Sequence, residues 1–275
     1  EQDEQRIAIS NPLLVETSHL RTNLWDEHLK VCFRNVSSGQ KACWIFEIGC
    51  TYRKINNQIH EQKTLGGVLT GNKRFGAWYD GGKKQKLDYF QARGYLEQAL
   101  SPLKVKISDK QLTTDKLLHP GRASSLYLEG KSIGKFGQIY PTKADELELD
   151  AETFIFELDL QSLINSTIRD KNWSPIYKNF PTVPFMERDI AIAVDKNCSS
   201  QEIIDLVRKT GKPLLESVEL IDRYDGENIA EGKVSQAFRL RYRDQNKTLK
   251  ESEINPIHQK IIEKLEKTVK AELRK

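Results

Sequence analysis

The chain has 275 residues, room for two domains of ordinary size. Its charged fraction is 30% and no apolar run approaches the ~20 residues of a membrane span, which excludes a bundle of membrane helices. Residues 1–180 hold 25 Lys+Arg against 22 Asp+Glu and residues 181–275 hold 18 against 17, so neither part is basic in bulk and any nucleic-acid surface must come from where the charges lie.

In chain order, the run RIAIS reads as a short strand before Asn11-Pro12. A helix is predicted over Leu24–Val36, with Trp25, His28, Leu29, Cys32, Phe33 and Val36 on one core-facing stripe, stopped by Ser37-Ser38-Gly39. CWIFEIG reads as a buried strand and Leu65–Thr70 as a weaker one, with polar connections between and after them that include a turn at Asp80-Gly81-Gly82. Leu87–Leu100 is an amphipathic helix ended by Ser101-Pro102. Short strands fill 105–140, separated by His119-Pro120-Gly121 and by Gly130, Gly134 and Gly137, and Thr153–Leu158 is a last strand. Strands in hairpin-like order with a few helices predict an antiparallel sheet with helices packed on it. Asp170–Asn179 reads as a linker.

Beyond the linker the order is strand, helix, strand, strand, helix, strand. Asp189–Asp195 alternates Ile190, Ile192 and Val194 with polar or small residues. Ser199 with Glu202, and Thr248 with Glu251, read as capping boxes of two helices, the first ended by Gly211. Val218–Tyr224 and Val234–Arg243 are strands, and Ala271–Arg274 a short closing one. This βαββαβ order predicts a ferredoxin-like sandwich, one sheet with both helices on one face. Phe238, Leu240 and Tyr242 then point to the helices, while Arg239, Arg241 and Arg243 leave by the open face beside the small Ala191 and Ala193, a basic floor of the kind that takes single-stranded RNA. Arg188 and Arg223 are expected to flank that face, Tyr224 to alternate with Arg223 so that its ring turns to the helices, and Lys247 to reach a phosphate from the loop before the second helix.

The runs FPTVPFMERDIAIAVD, LIDRYDGENIAEGKVSQAFRLRY, NKTLKESEIN and the final AELR closely resemble the C-terminal anticodon-binding domain of the bacterial phenylalanine–tRNA ligase β-subunit family. NPLLVETSHLRTNL, IFEIGCTYRK and LLHPGRASSLYLEGKSIGKFGQIYP resemble, in order, the degenerate synthetase-like module of the same subunit. The resemblance covers nearly the whole chain. It implies an α+β fold: a non-catalytic class II synthetase-like domain over 1–175 and a ferredoxin-fold anticodon-binding domain over 180–275. It also implies a catalytic α subunit as partner in an α2β2 heterotetramer, tRNA as ligand, and ATP and Mg²⁺ in the full enzyme with none bound by this segment. A cytoplasmic or organellar location is implied as well, together with an editing site in segments not included here. The first residues are acidic and polar, unlike a secretory signal, and Met186 is the only methionine, so we expect the C-terminal part of a longer protein.

An active class II site needs arginines to hold phosphates and the charge developing at the adenylate. In the matching strand, CWIFEIG, Glu47 has no arginine beside it, and no helix arginine follows the Gly-rich run, so the segment is expected to be catalytically inactive. Gly130, Gly134 and Gly137 are expected to serve turns and close packing, and His119 with Arg122 a turn, since nothing local supplies a nucleophile. Arg21 matches a family position at subunit contacts; a surface arginine beside a helix start is the other reading. Trp25 belongs to the core stripe, part of which the resemblance assigns to the subunit interface. Cys32, Cys43, Cys50 and Cys198 lack metal-finger spacing and read as free thiols in a reducing compartment. A free-standing RNA-binding module without a synthetase partner is the alternative function.

Overall fold

The computed structural model describes residues 6–14, 17–40, 42–71, 85–169, 177 and 179–274. The chain divides into two compact units, Glu1–Ile176 and Tyr177–Lys275. The turn expected at Asp80-Gly81-Gly82 and most of the linker expected at 170–179 lie outside the described residues.

The first unit is built on a six-stranded antiparallel sheet. In chain order it has α1 (Trp25–Ser37), β1 (Ala42–Ile55), β2 (Gln58–Gly71), α2 (Tyr89–Leu100), β3 (Ile107–Gln111), β4 (Leu118–Leu128), β5 (Lys131–Ile139), α3 (Pro141–Glu146), β6 (Phe154–Asp159) and α4 (Leu160–Thr167), with strand order β1-β2-β6-β5-β4-β3. One core packs α2 and Leu163 of α4 against Leu126, Phe136, Phe154 and Leu158. A second packs Leu29 and Cys32 of α1 and Ala144 of α3 against Val68, Ile139 and Ile155. Neighbours Phe154 and Ile155 serve different cores because side chains alternate across a strand.

Several expectations need correcting. RIAIS forms only a bridge, Ala8 opposite His19. CWIFEIG is not buried: β1 is an edge strand, and Phe46 and Ile48 are 71% and 61% exposed. The segment between CWIFEIG and Leu65 is not a connection but one long hairpin, turned by Asn56 and Asn57 at φ 49° and 63°. Asparagine tolerates that left-handed pair of a two-residue turn better than most residues. Glu129-Gly130 turns the β4–β5 hairpin in the same way, at φ 52° and 83°. His119-Pro120-Gly121 does not end a strand; β4 runs through it with a register shift between Leu118 and Ala123.

The second unit has β7 (Met186–Asp195), α5 (Ser200–Thr210), β8 (Leu215–Tyr224), β9 (Lys233–Tyr242), α6 (Glu251–Val269) and β10 (Glu272–Leu273). Its sheet order is β10-β7-β9-β8, all antiparallel, the topology of a ferredoxin-like sandwich. Phe238, Leu240 and Tyr242 are fully buried with Ile203 and Val207 of α5 and Ile261 and Leu265 of α6. Ser199 caps α5 by accepting from the Gln201 N–H at 3.2 Å. The second cap lies two residues later than expected: α6 begins at Glu251, and the Glu253 carboxylate accepts from the Lys250 N–H at 3.0 Å.

Candidate nucleic-acid interface and the family of the chain

The open face of the second unit can be read row by row from the strand register. Opposed residues in an antiparallel pair share a face. Moving along β9 from its C-terminal end, the rows are Ser217–Arg241–Glu187, Glu219–Arg239–Asp189, Asp222–Ala237–Ala191 and Tyr224–Ser235–Ala193. Arg239, Arg241 and Arg243 do leave the helix side, but the floor they form is not basic. Arg239 makes two hydrogen bonds to Asp189, at 2.9 and 2.8 Å, and Arg241 two to Glu187, at 3.1 and 2.8 Å. Arg243 Nε lies 3.2 Å from Glu216 Oε2 but off-line, so the contact is one of charge without a directed hydrogen bond. Phe185 stacks under two of these cations, 4.2 Å from the Arg241 guanidinium and 5.3 Å from that of Arg243. The Asp189 carboxyl is held below its ordinary range by the hydrogen bonds from Arg239, and Arg239 is driven higher still by the same bonds. This half of the face is a lattice of paired charges.

The other half is different. A register shift between Leu220 and Asp222 inserts Ile221 as a bulged residue, and a one-residue insertion exchanges the faces of everything after it. Asp222 and Tyr224 therefore come to the open face, while Arg223 lies opposite Gln236, whose side chain bonds the Cys198 carbonyl on the helix side. The expected orientations of Arg223 and Tyr224 are thus reversed. Tyr224 is 44% exposed, its ring leans over Gly226, and it shares its row with the buried small residues Ser235 and Ala193. Arg188 does not flank the open face either. It lies opposite Leu240 on the helix side and donates to Glu251 of α6 at 2.8 Å. Lys247 is exposed in the loop before α6, but its ammonium is bonded to Glu253. Sequence reading missed Asp222 because nothing in LIDRYDG marks the bulge.

In the first unit, Arg21 is spatially beside Glu47 although far from it in sequence. Its Nη1 is 2.8 Å from Glu47 Oε1, its Nε donates to the Cys50 carbonyl at 2.9 Å, and His28 Nε2 approaches Glu47 Oε2 at 3.3 Å. Burial holds the His28 imidazole below its usual value, partly offset by Glu47. A Cβ on Gly66 would meet the Leu24 side chain at 3.0 Å, and one on Gly49 would meet Arg21 Nη2. The segment before α1 thus covers the strand floor around Glu47, and its guanidinium is already engaged. That arrangement does not fit a bound nucleotide. Among the described residues no group of three or more His, Cys, Asp or Glu could hold a metal ion. Trp25 packs against the second core of this unit and borders an open groove of about 1080 Å³ with Arg21, Asp26 and Lys143. Glu157, which the sequence did not single out, accepts from the Leu24 N–H at 3.0 Å and so caps α1 from β6; burial raises its carboxyl. Gly134 and Gly137 serve close packing: a Cβ at Gly134 would overlap the Glu157 carbonyl, and one at Gly137 would crowd Ala123. His119 accepts from the Gly121 N–H at the irregular start of β4 and stacks on Tyr140, in place of the turn expected there.

Comparison with known families finds the phenylalanyl-tRNA synthetase beta chain CLM domain over residues 1–160 and the ferredoxin-fold anticodon-binding domain over 181–274. The chain belongs to the phenylalanyl-tRNA synthetase beta-chain family. It is 55% identical over 272 residues to the phenylalanine–tRNA ligase beta subunit of Prochlorococcus marinus (strain NATL2A), covering 99% of this chain and 33% of that one. It is 50% identical over 273 residues to the corresponding protein of Synechococcus sp. (strain CC9605), covering 99% and 34%. The chain thus spans about a third of the length of these curated relatives. Membership of the beta-chain family over both units supports the ligase reading over a free-standing RNA-binding module. Among the described residues no helix is long and apolar enough to cross a membrane.

Proposed function

We propose that this chain is the tRNA-gripping and subunit-bracing part of a phenylalanine–tRNA ligase β subunit. Residues 180–275 act as the anticodon-binding domain and residues 1–175 as a non-catalytic synthetase-like brace for an α subunit in a cytoplasmic α2β2 enzyme, whose ATP and Mg²⁺ work on the α side. The observation that carries the RNA reading is the open-face end of β8, where the exposed Tyr224 ring stands over the small floor of Ser235 and Ala193. An unpaired base stacks on the exposed part of such a ring. Asp222, on the neighbouring row with Ala237 and Ala191, offers acceptors to base N–H groups and repels phosphate, which favours a base over a backbone contact. The arginines contribute less than their number suggests, because Asp189, Glu187 and Glu216 already engage them. Arg21 and Trp25 belong to the brace, Arg21 by fixing the loop before α1 to Glu47. The test is nucleotide-resolution footprinting of phenylalanine tRNA bound by the chain, with protection expected in the anticodon loop. Protection confined to the acceptor stem would contradict the reading, as would failure to co-purify with an α subunit in the source cell.

A further inference from the structure

The β1–β2 hairpin outruns the sheet that carries it. β6 pairs with β2 only over Thr64–Leu69, so the six pairs from Cys50–Lys63 to Ile55–Gln58 extend past it for about 20 Å at ~3.4 Å per residue, with Arg21 and Thr22 bonded to the β1 edge at Cys50, Tyr52 and Arg53 and only the outer part a bare two-stranded ribbon. Every residue from Arg53 to Lys63 is exposed. An isolated hairpin is marginal in water, so its length is not explained by stability of the unit. Its composition is polar, with three cations, Arg53, Lys54 and Lys63, beside His60 and the amides Asn56, Asn57, Gln58 and Gln62, against the single acid Glu61. Arg53 to His60 contains no acid at all. Among the described residues none of Arg53, Lys54 and Lys63 makes an ion pair, although Arg53 donates to the Thr22 carbonyl at 3.3 Å, whereas Arg239, Arg241 and Arg243 of the second unit each meet a carboxylate. Lys54 and Lys63 leave the same face, since Lys54 opposes Ile59 and Lys63 opposes Cys50, four positions and about 14 Å apart, with Glu61 opposite Tyr52 on the row between them, so that face carries two cations to one acid. Ile55 and Ile59 leave opposite faces, so the tip offers no contiguous apolar surface to a protein.

We propose that this ribbon is a second RNA contact, laid against the sugar–phosphate backbone of a helical stem of the tRNA, with Lys54 and Lys63 each meeting a phosphate and the tip amides bonding to backbone oxygens. The inference rests on the tRNA-binding reading above. Backbone contact follows from Lys54, Lys63 and the tip amides with no Phe, Tyr or Trp between Arg53 and Lys63, a combination that positions RNA without reading its sequence. It complements the anticodon face, which reads a base.

The test is a salt series of phenylalanine tRNA binding by the full 275-residue chain, comparing wild type, Lys54→Ala, Lys63→Ala, the double variant and Tyr224→Ala. Each lysine removed should weaken binding and lower the slope of log K against log salt by about 1, with unchanged melting because both side chains are exposed. A fully duplex RNA without loops should show the same lysine dependence and no dependence on Tyr224. If the double variant keeps the wild-type affinity and slope while Tyr224→Ala loses affinity, the ribbon inference falls and the anticodon reading stands. The ribbon inference also falls if the double variant keeps tRNA affinity but loses the α subunit, for the ribbon then docks a protein. A wild-type chain that does not bind tRNA overturns both.

Discussion

Phe238 and Arg239 are neighbours on β9 with opposite fates, and replacing each by Ala measures the two faces of the second unit. Phe238 is fully buried between α5 and α6, and Phe→Ala in a core costs roughly 3–5 kcal/mol. A unit of about 100 residues has about 5–15 kcal/mol in all, at roughly 0.05–0.15 per residue. At ~4–8 °C per kcal/mol for a domain of this size, Phe238→Ala should lower melting by at least about 12 °C. Arg239→Ala should barely move it, since exposed ion pairs contribute little. The assay exploits the tryptophans: residues 177–275 contain none, and Trp25 and Trp44 pack against the cores of the first unit, so fluorescence carries no tryptophan of the second unit, while far-ultraviolet circular dichroism follows both. Phe238→Ala should move a dichroism transition and leave the fluorescence transition in place. A dichroism curve unchanged by Phe238→Ala, or a fluorescence transition that shifts with it, would refute the reasoning.

Acid should weaken the second unit. Burial, assisted by the Arg188 charge, holds His258 below its ordinary value of about 6.5, and its Nδ1 meets the Tyr242 hydroxyl at 3.0 Å. The folded imidazole stays neutral where the unfolded one takes a proton, so this stability is present above about pH 6.5 and lost as pH falls through the folded pKa. Melting by dichroism at pH 7.5 and 5.5 should show the second unit's transition falling, and a rise would count against the assignment. In the first unit, Gly134→Ala should destabilise because its Cβ would strike the Glu157 backbone carbonyl, whereas Gly94→Ala, on an open helix face, should stabilise by up to ~1 kcal/mol; tryptophan fluorescence melting separates them. The purified chain should not exchange pyrophosphate into ATP with phenylalanine, because Leu24 and Arg21 cover the floor around Glu47; measurable exchange would show a working site.

The ferredoxin-like unit was legible because its strands alternate cleanly and its sheet buries one face: Ile190, Ile192, Val194, Phe238, Leu240 and Tyr242 all lie in one core. The same period misled beyond Leu220. Ile221 adds one residue on an edge strand, so Asp222 and Tyr224 change faces, and alternation alone carries no mark of a bulge. The charge lattice was hidden for a related reason. Asp189 and Glu187 are about 50 residues from the arginines they meet, and only the β7–β9 register brings them together. In the first unit CWIFEIG reads as a buried strand because it is apolar; its place at the sheet edge depends on the order of strands. Asn56-Asn57 between two polar strand arms was a usable hairpin signal, obscured by arms that project beyond the sheet and so lack an apolar face. Arg21 beside Glu47 was invisible to spacing, since the segment before α1 folds back across β1 to bring them together.

The central claim is that Tyr224 stacks on an unpaired base of the anticodon loop, and it is tested by measuring affinity for an isolated anticodon stem-loop of phenylalanine tRNA. Base–aromatic stacking contributes about 1–3 kcal/mol by alanine substitution, so Tyr224→Ala should weaken binding by roughly 5- to 150-fold, and Tyr224→Phe, which keeps the ring, should restore most of it. Equal affinities of wild type and Tyr224→Ala for that stem-loop would contradict the account.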